Sequence, residues 1–221
     1  MERAGLFHGM KTWAECRLYA FVDAAYLDGR APGELARALC GGGADVVQAR
    51  AKGWGRDRTH RLVDEVLPVV TRFGARFVLN DDWSLGCELG VSCVHLGQED
   101  FFGAGRVHRD GLPGSTGGPE LGLSSHAPEQ FRRAESAGAA YVAAGPVFAT
   151  PTKPGRPAVT LDYVRWASAN ARMPWFAIGG IDPATLDSVL EAGATRVCVV
   201  SALLRRPDVE AATRALRARL G

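Results

Sequence analysis

Two carboxylates occupy matching places in one stretch, Phe77 to Asp100 (FVLNDDWSLGCELGVSCVHLGQED). Asn80-Asp81 directly follows the apolar run Phe77-Val78-Leu79, and Gln98-Glu99-Asp100 follows Cys93-Val94-His95-Leu96. If the two runs are successive parallel strands, they lie side by side, about 4.8 Å apart. Asp81 and Asp100 then reach one ion. Two carboxylates and an amide beside a mouth suit Mg²⁺, which keeps several waters and shares its shell with substrate phosphates. The same residues also suit a helix cap at Asp81-Asp82 and a solvated turn at Glu99-Asp100.

Five more segments carry groups that suit anions. In Gln48-Ala49-Arg50-Ala51-Lys52, strand alternation puts Gln48, Arg50 and Lys52 on one face. Two cations and an amide there fit a diphosphate, though a solvated strand end also fits. Ser124 and His126 close a further apolar run; the hydroxyl can donate to a phosphate oxygen, and a histidine before a helix is as often structural. The proline-rich loop Gly145 to Thr160 would hold Thr150, Pro151, Thr152 and Lys153 in place. Gly179-Gly180 and Val200-Ser201 end the last two apolar runs, where backbone N–H groups and a helix N-terminus receive phosphate.

Strand-like and helix-like segments alternate to supply these positions. Strands are predicted at 17–22, 46–52, 77–79, 93–96, 121–125, 141–144, 175–178 and 196–200. Helices are predicted at 32–39, 56–73, 83–89, 128–137, 161–171, 183–191 and 209–220. Pro68 should kink or break the second helix. Gly90, Gly138 and Gly193 fall where helices end. The glycine-rich segment 101–120, with Pro113 and Pro119, reads mostly as loop. Eight strand–helix units in this length predict an α/β fold, a single (β/α)₈ TIM barrel over 17–221 behind an N-terminal extension at 1–16. A doubly wound open sheet is the alternative.

Bulk properties are ordinary for one globular domain: 221 residues, 47% hydrophobic, 23% charged, net charge +2. This balance gives no reason to expect nucleic acid or an anionic membrane as partner. No apolar run approaches a membrane span, and the first sixteen residues lack a signal-peptide core. The five cysteines show no CxxC spacing and three sit in or beside apolar runs, so buried thiols in a reducing, cytoplasmic setting are expected.

Taken together and in order, QARAK (48–52), ND (80–81), HLGQED (95–100), GLSSH (122–126), GPVFATPTK (145–153), AIGG (177–180) and VVSA (199–202) resemble the thiamine-phosphate synthase family. The resemblance implies a transferase joining hydroxymethylpyrimidine diphosphate to a thiazole phosphate, releasing diphosphate by a carbocation-like route. It assigns Gln48, Arg50, Lys52, Asn80, Ser124 and Lys153 to the pyrimidine diphosphate. Of these, Arg50, Lys52, Ser124 and Lys153 carry the catalytic role. Thr150, Pro151, Thr152, Gly179, Gly180, Val200 and Ser201 fall to the thiazole phosphate, and Asp81 and Asp100 to Mg²⁺. Expected partners are small phosphorylated molecules, and a homodimer is compatible with the sequence. Three positions depart from the family pattern: Ala51 for a usual glutamate, Asp82 for a common arginine or tyrosine, and Ala149 for a frequent proline. The alternatives are a related thiazole tautomerase, which usually lacks the full diphosphate and metal set, and a non-catalytic binding paralogue.

Overall fold

The computed structural model describes residues 10–150 and 158–221. Eight parallel strands close into a barrel in sequence order: β1 (Leu18–Asp23), β2 (Val46–Arg50), β3 (Arg76–Asn80), β4 (Cys93–Leu96), β5 (Glu120–Ser125), β6 (Tyr141–Ala144), β7 (Trp175–Ile178) and β8 (Val197–Cys198). Helices cover the outside: α1 (Pro32–Gly41), α2 (Arg56–Arg72), α3 (Trp83–Leu89), α4 (Gln98–Phe102), α5 (Pro128–Ser136), α6 (Thr160–Asn170), α7 (Leu186–Glu191), α8 (Ser201–Leu204) and α9 (Val209–Ala218). The expected (β/α)₈ barrel is therefore the fold, and the open sheet is not.

Strand alternation sorts the apolar residues into two layers. Leu18, Ala20 and Val22 of β1, with Val47, Phe77, Leu79, Leu121, Leu123 and Val142, pack outward beneath the helices. Tyr19, Phe21, Val46, Val78, Cys93, Tyr141, Phe176 and Cys198 fill the barrel interior. Gly122 is required there: a Cβ at this residue would lie 2.4 Å from Cζ of Tyr141, whose ring crosses the floor.

Most boundaries fall within two residues of expectation, and the differences have physical reasons. Helix α2 runs unbroken through Pro68. This proline lies on the exposed face, so the carbonyl that loses its partner is open to water. Strand β2 ends at Arg50, leaving Lys52 in the following turn. The glycine-rich segment is ordered by side chains: Arg109 donates to the carbonyls of Ser115 and Pro119, and Trp83 Nε1 donates to Pro113 O at 2.8 Å. Strand β8 keeps only two paired residues before the chain turns into α8. Residues 10–16, assigned to the N-terminal extension by sequence, cover the barrel base, with Trp13 and Cys16 buried in its core.

Candidate active site

The inward positions at the carboxyl ends of the strands line one cleft. Gln48 and Arg50 come from β2, Asn80 from β3, His95 from β4 and Ser124 from β5. Gly179, Gly180, Val200 and Ser201 lie across it, with Thr150 at the edge. The cleft has about 90 Å³ of water-accessible space. An adjoining cleft is lined by Lys52, Asp81 and Asp82 together with Trp54 and Arg56, and Asn80 borders both. Pro151, Thr152 and Lys153 lie outside the described residues.

The rim cations are held by carboxylates. Arg50 donates to Asp23 at 2.6 Å, and the other Asp23 oxygen accepts from Ala25 N at 3.0 Å. Asp23 is buried and ends β1, so the guanidinium is fixed on the cleft wall by a rigid partner. Lys52 pairs with Asp81 at 3.2 Å, and both side chains are more than a third exposed. This second pair is therefore loosely held in water and open to exchange of partners.

Asp81 and Asp100 sit at the same end of neighbouring strands. Asn80 pairs with His95 in the β3–β4 register, and Asp81 N donates to His95 O at 2.9 Å. Asp81 is held at φ 68°, an unusual conformation for a non-glycine residue. Asp100 lies in the first turn of α4, exposed, with its carboxylate over Gly97. Among the described residues no group of three or more His, Cys, Asp or Glu could enclose a metal. A pair of exposed carboxylates is the donor set that suits Mg²⁺, whose other ligands are waters and phosphate oxygens. The neighbouring Asp82 is engaged elsewhere. It caps α3 by accepting from Leu85 N, and it pairs with Arg56 at 3.3 Å.

The two glycines after β7 have a packing reason beside any role with anions. A Cβ on Gly179 would lie 2.4 Å from Pro146 Cβ, and one on Gly180 would lie 2.7 Å from Phe148 Cβ. The loop after β6 is bonded to this turn through Val147 N to Ile178 O and Phe148 N to Gly179 O. The segment carrying Thr150 is thereby docked on the opposite wall.

Sequence reasoning gives no role to Asp23, Tyr19, Tyr141 or His95. His126, which precedes α5, also lines the cleft and makes a hydrogen bond to Gly145 O. Tyr19 and Tyr141 are fully buried, and burial raises both hydroxyls well above the usual tyrosine range. The signal for these residues is present in the alternation, since Tyr19, Asp23, His95 and Tyr141 all fall on inward positions of their strands.

Comparison with known proteins gives the lineage. Residues 18–203 match the family model described as thiamine monophosphate synthase. The chain belongs to the thiamine monophosphate synthase family. A thiamine-phosphate synthase of Thermus thermophilus is 50% identical over 192 residues, covering 83% of this chain and 86% of that protein. One from Acidothermus cellulolyticus is 42% identical over 211 residues, covering 94% and 96%. The solved thiamine phosphate pyrophosphorylase of Pyrococcus furiosus superposes with a TM-score of 0.80 at 26% identity, over 93% of this chain and 95% of that one. Family membership covers the whole barrel, both walls of the cleft included. Among the described residues no helix is long and apolar enough to cross a membrane.

Proposed function

We propose that this member of the thiamine monophosphate synthase family transfers the hydroxymethylpyrimidine group from its diphosphate to a thiazole phosphate. The products are thiamine phosphate and diphosphate. What supports this most is one cleft with two differently built walls. One wall carries Gln48, Arg50, Asn80 and Ser124, and the other carries Gly179, Gly180, Val200 and Ser201.

The steps follow from the chemistry of these groups. Arg50, anchored by Asp23, binds the diphosphate by charge-assisted hydrogen bonds. Lys52 leaves Asp81 for the anion, and Lys153 joins it from the loop after β6. Asp81 and Asp100 would hold Mg²⁺, which when bound neutralises charge on the leaving diphosphate. The bond from the pyrimidine methylene to the diphosphate oxygen breaks first, and the ring amino group delocalises the positive charge that forms. The thiazole nitrogen, fixed by its phosphate against the β7–β8 wall, then attacks the methylene carbon. Such a route needs positioned cations and exclusion of water more than a strong base. His126 is accordingly assigned no proton transfer. Burial pushes the Cys16 and Cys40 thiols up to about 12, so neither offers a thiolate near neutral pH.

The test is Mg²⁺-dependent release of diphosphate in the presence of both substrates. Release with formation of thiamine phosphate is expected. Tautomerisation of the thiazole without diphosphate release would assign the isomerase instead, and binding of thiamine phosphate without turnover would assign a non-catalytic protein.

A further inference from the structure

The floor of the cleft is a continuous chain of hydrogen bonds. Gln48 Nε2 donates to the Tyr19 hydroxyl at 2.7 Å. The Tyr19 and Tyr141 hydroxyls are 2.8 Å apart. The Tyr141 hydroxyl is 2.9 Å from His95 Nδ1, and His95 Nε2 is 3.0 Å from Ser124 Oγ. All five residues are buried, and they come from five different strands.

The first bond sets the direction of all the others. An amide nitrogen only donates, so the Tyr19 oxygen accepts from Gln48; among the described residues the Tyr141 oxygen is the acceptor in reach of the buried Tyr19 hydrogen, which points there. The Tyr141 hydrogen then points to His95 Nδ1. That nitrogen must be unprotonated, which places the imidazole proton on Nε2. Nε2–H donates to Ser124 Oγ, and the serine hydrogen is left to face the cleft. At the other end, the amide oxygen of Gln48 is left as an acceptor. Burial keeps both tyrosines protonated, so neither link is lost near neutral pH.

We propose that Tyr19, Tyr141 and His95 form a one-way relay that fixes Gln48 as acceptor and Ser124 as donor, and so selects an aminopyrimidine over an oxopyrimidine. This rests on the transfer reaction proposed above. A ring with an exocyclic amino group beside an unprotonated ring nitrogen offers one donor and one acceptor, matching that pair. The oxo ring carries C=O and N–H in those places and reverses both. A site with fixed polar groups rejects such a reversal strongly, because each buried group is left unpaired. The three relay residues act through Gln48 and Ser124 and are positioning residues.

The test compares kcat/KM for the amino and oxo pyrimidine diphosphates in wild type, Tyr141→Phe and Tyr19→Phe. Wild type should prefer the amino ring by ~100-fold or more. Each variant keeps its ring but breaks the relay, and should lower that preference by ~10-fold while KM for the thiazole phosphate stays unchanged. A role in packing alone would depress both pyrimidines equally; a preference unchanged in both variants overturns the proposal. Nitrogen-15 NMR of His95 in the ligand-free wild-type protein provides a reading independent of turnover and of variant folding. A proton on Nε2 supports the relay, and a proton on Nδ1 reverses its direction and sinks it. If wild type turns over neither diphosphate, the transfer reading fails, while the histidine tautomer still decides the relay.

Discussion

The two ends of the barrel use charge in opposite ways. At the base, charges close on one another. Asp45 accepts from Lys11 and from the amides of Arg17 and Leu18, and lies 3.3 Å from Arg217. Arg76 pairs with Glu120, donates to Lys11 O, and stacks on the Trp13 ring. At the rim, Arg50 is pinned by a buried aspartate, while Lys52 and Asp81 hold each other in open water. Each of these base pairs has one buried member, Asp45 or Arg76, held by further hydrogen bonds, and this gives the base a fixed shape. The exposed Lys52–Asp81 pair can change partners without a large desolvation penalty, while Arg50 stays fixed.

That contrast can be broken at four points. The largest effect should come at the base. Asp45→Ala leaves the Arg17 and Leu18 amides without their acceptor and removes the partner of Lys11 and Arg217, and should cost about 3 kcal/mol in denaturant unfolding. Activity per folded molecule should not change; a loss of turnover without a loss of stability would erase the distinction between the ends. Burial alone would push the Asp45 carboxyl up, but Lys11 and the Leu18 and Arg17 amides outweigh it and hold it below the usual range. A carboxyl lowered by folding stabilises the protein above its unfolded pKa, and that stability is lost as pH falls through the folded value. The stability gap between wild type and Asp45→Asn should therefore shrink below about pH 4.

At the rim the order of effects should reverse, with rate lost and stability kept. Asp81→Ala or Asp100→Ala should cut turnover by ~100-fold or more, as for other groups that stabilise transition-state charge. A rate within about threefold of wild type would remove these carboxylates from the reaction. Asp23→Asn retains size and the bond from Ala25 N but takes the counter-charge from Arg50. KM for the pyrimidine diphosphate should move by ~10-fold, and an unmoved KM would show that Arg50 needs no anchor. The smallest effect is expected from Arg56→Ala, whose partners Asp82 and Glu88 are surface groups. Its steady-state rate should stay within about twofold of wild type; a larger drop would extend the active rim outward to α2.

The architecture is legible in the sequence because period and punctuation agree. Strands β4, β6 and β7 end where apolar runs end, and Gly90, Gly138 and Gly193 adopt the left-handed turns their positions imply. The rim is legible for the same reason, since polar residues after apolar runs point to one mouth. Lys52 reads as part of the strand face because alternation carries no signal of where pairing stops. The floor is hidden for a different reason. Tyr19 and Tyr141 read as core aromatics, and only the closed barrel brings hydroxyls 122 residues apart into contact. Asp23 escapes notice because an acidic residue at a strand end reads equally well as a turn.

The indole of Trp13 lies 4.3 Å, centroid to centroid, from the ring of Tyr141. One face of that tyrosine thus meets the plug at the base, while its hydroxyl bonds Tyr19 and His95, whose side chains line the cleft. A layer of buried rings, Tyr141 with Tyr19 and Phe176 beside it, separates the underside from the cleft. A chain begun after this tryptophan would lose more than a surface strap. Solvent would gain a path from below toward the cleft, and in the transfer reaction proposed above hydrolysis of the pyrimidine diphosphate would compete with coupling.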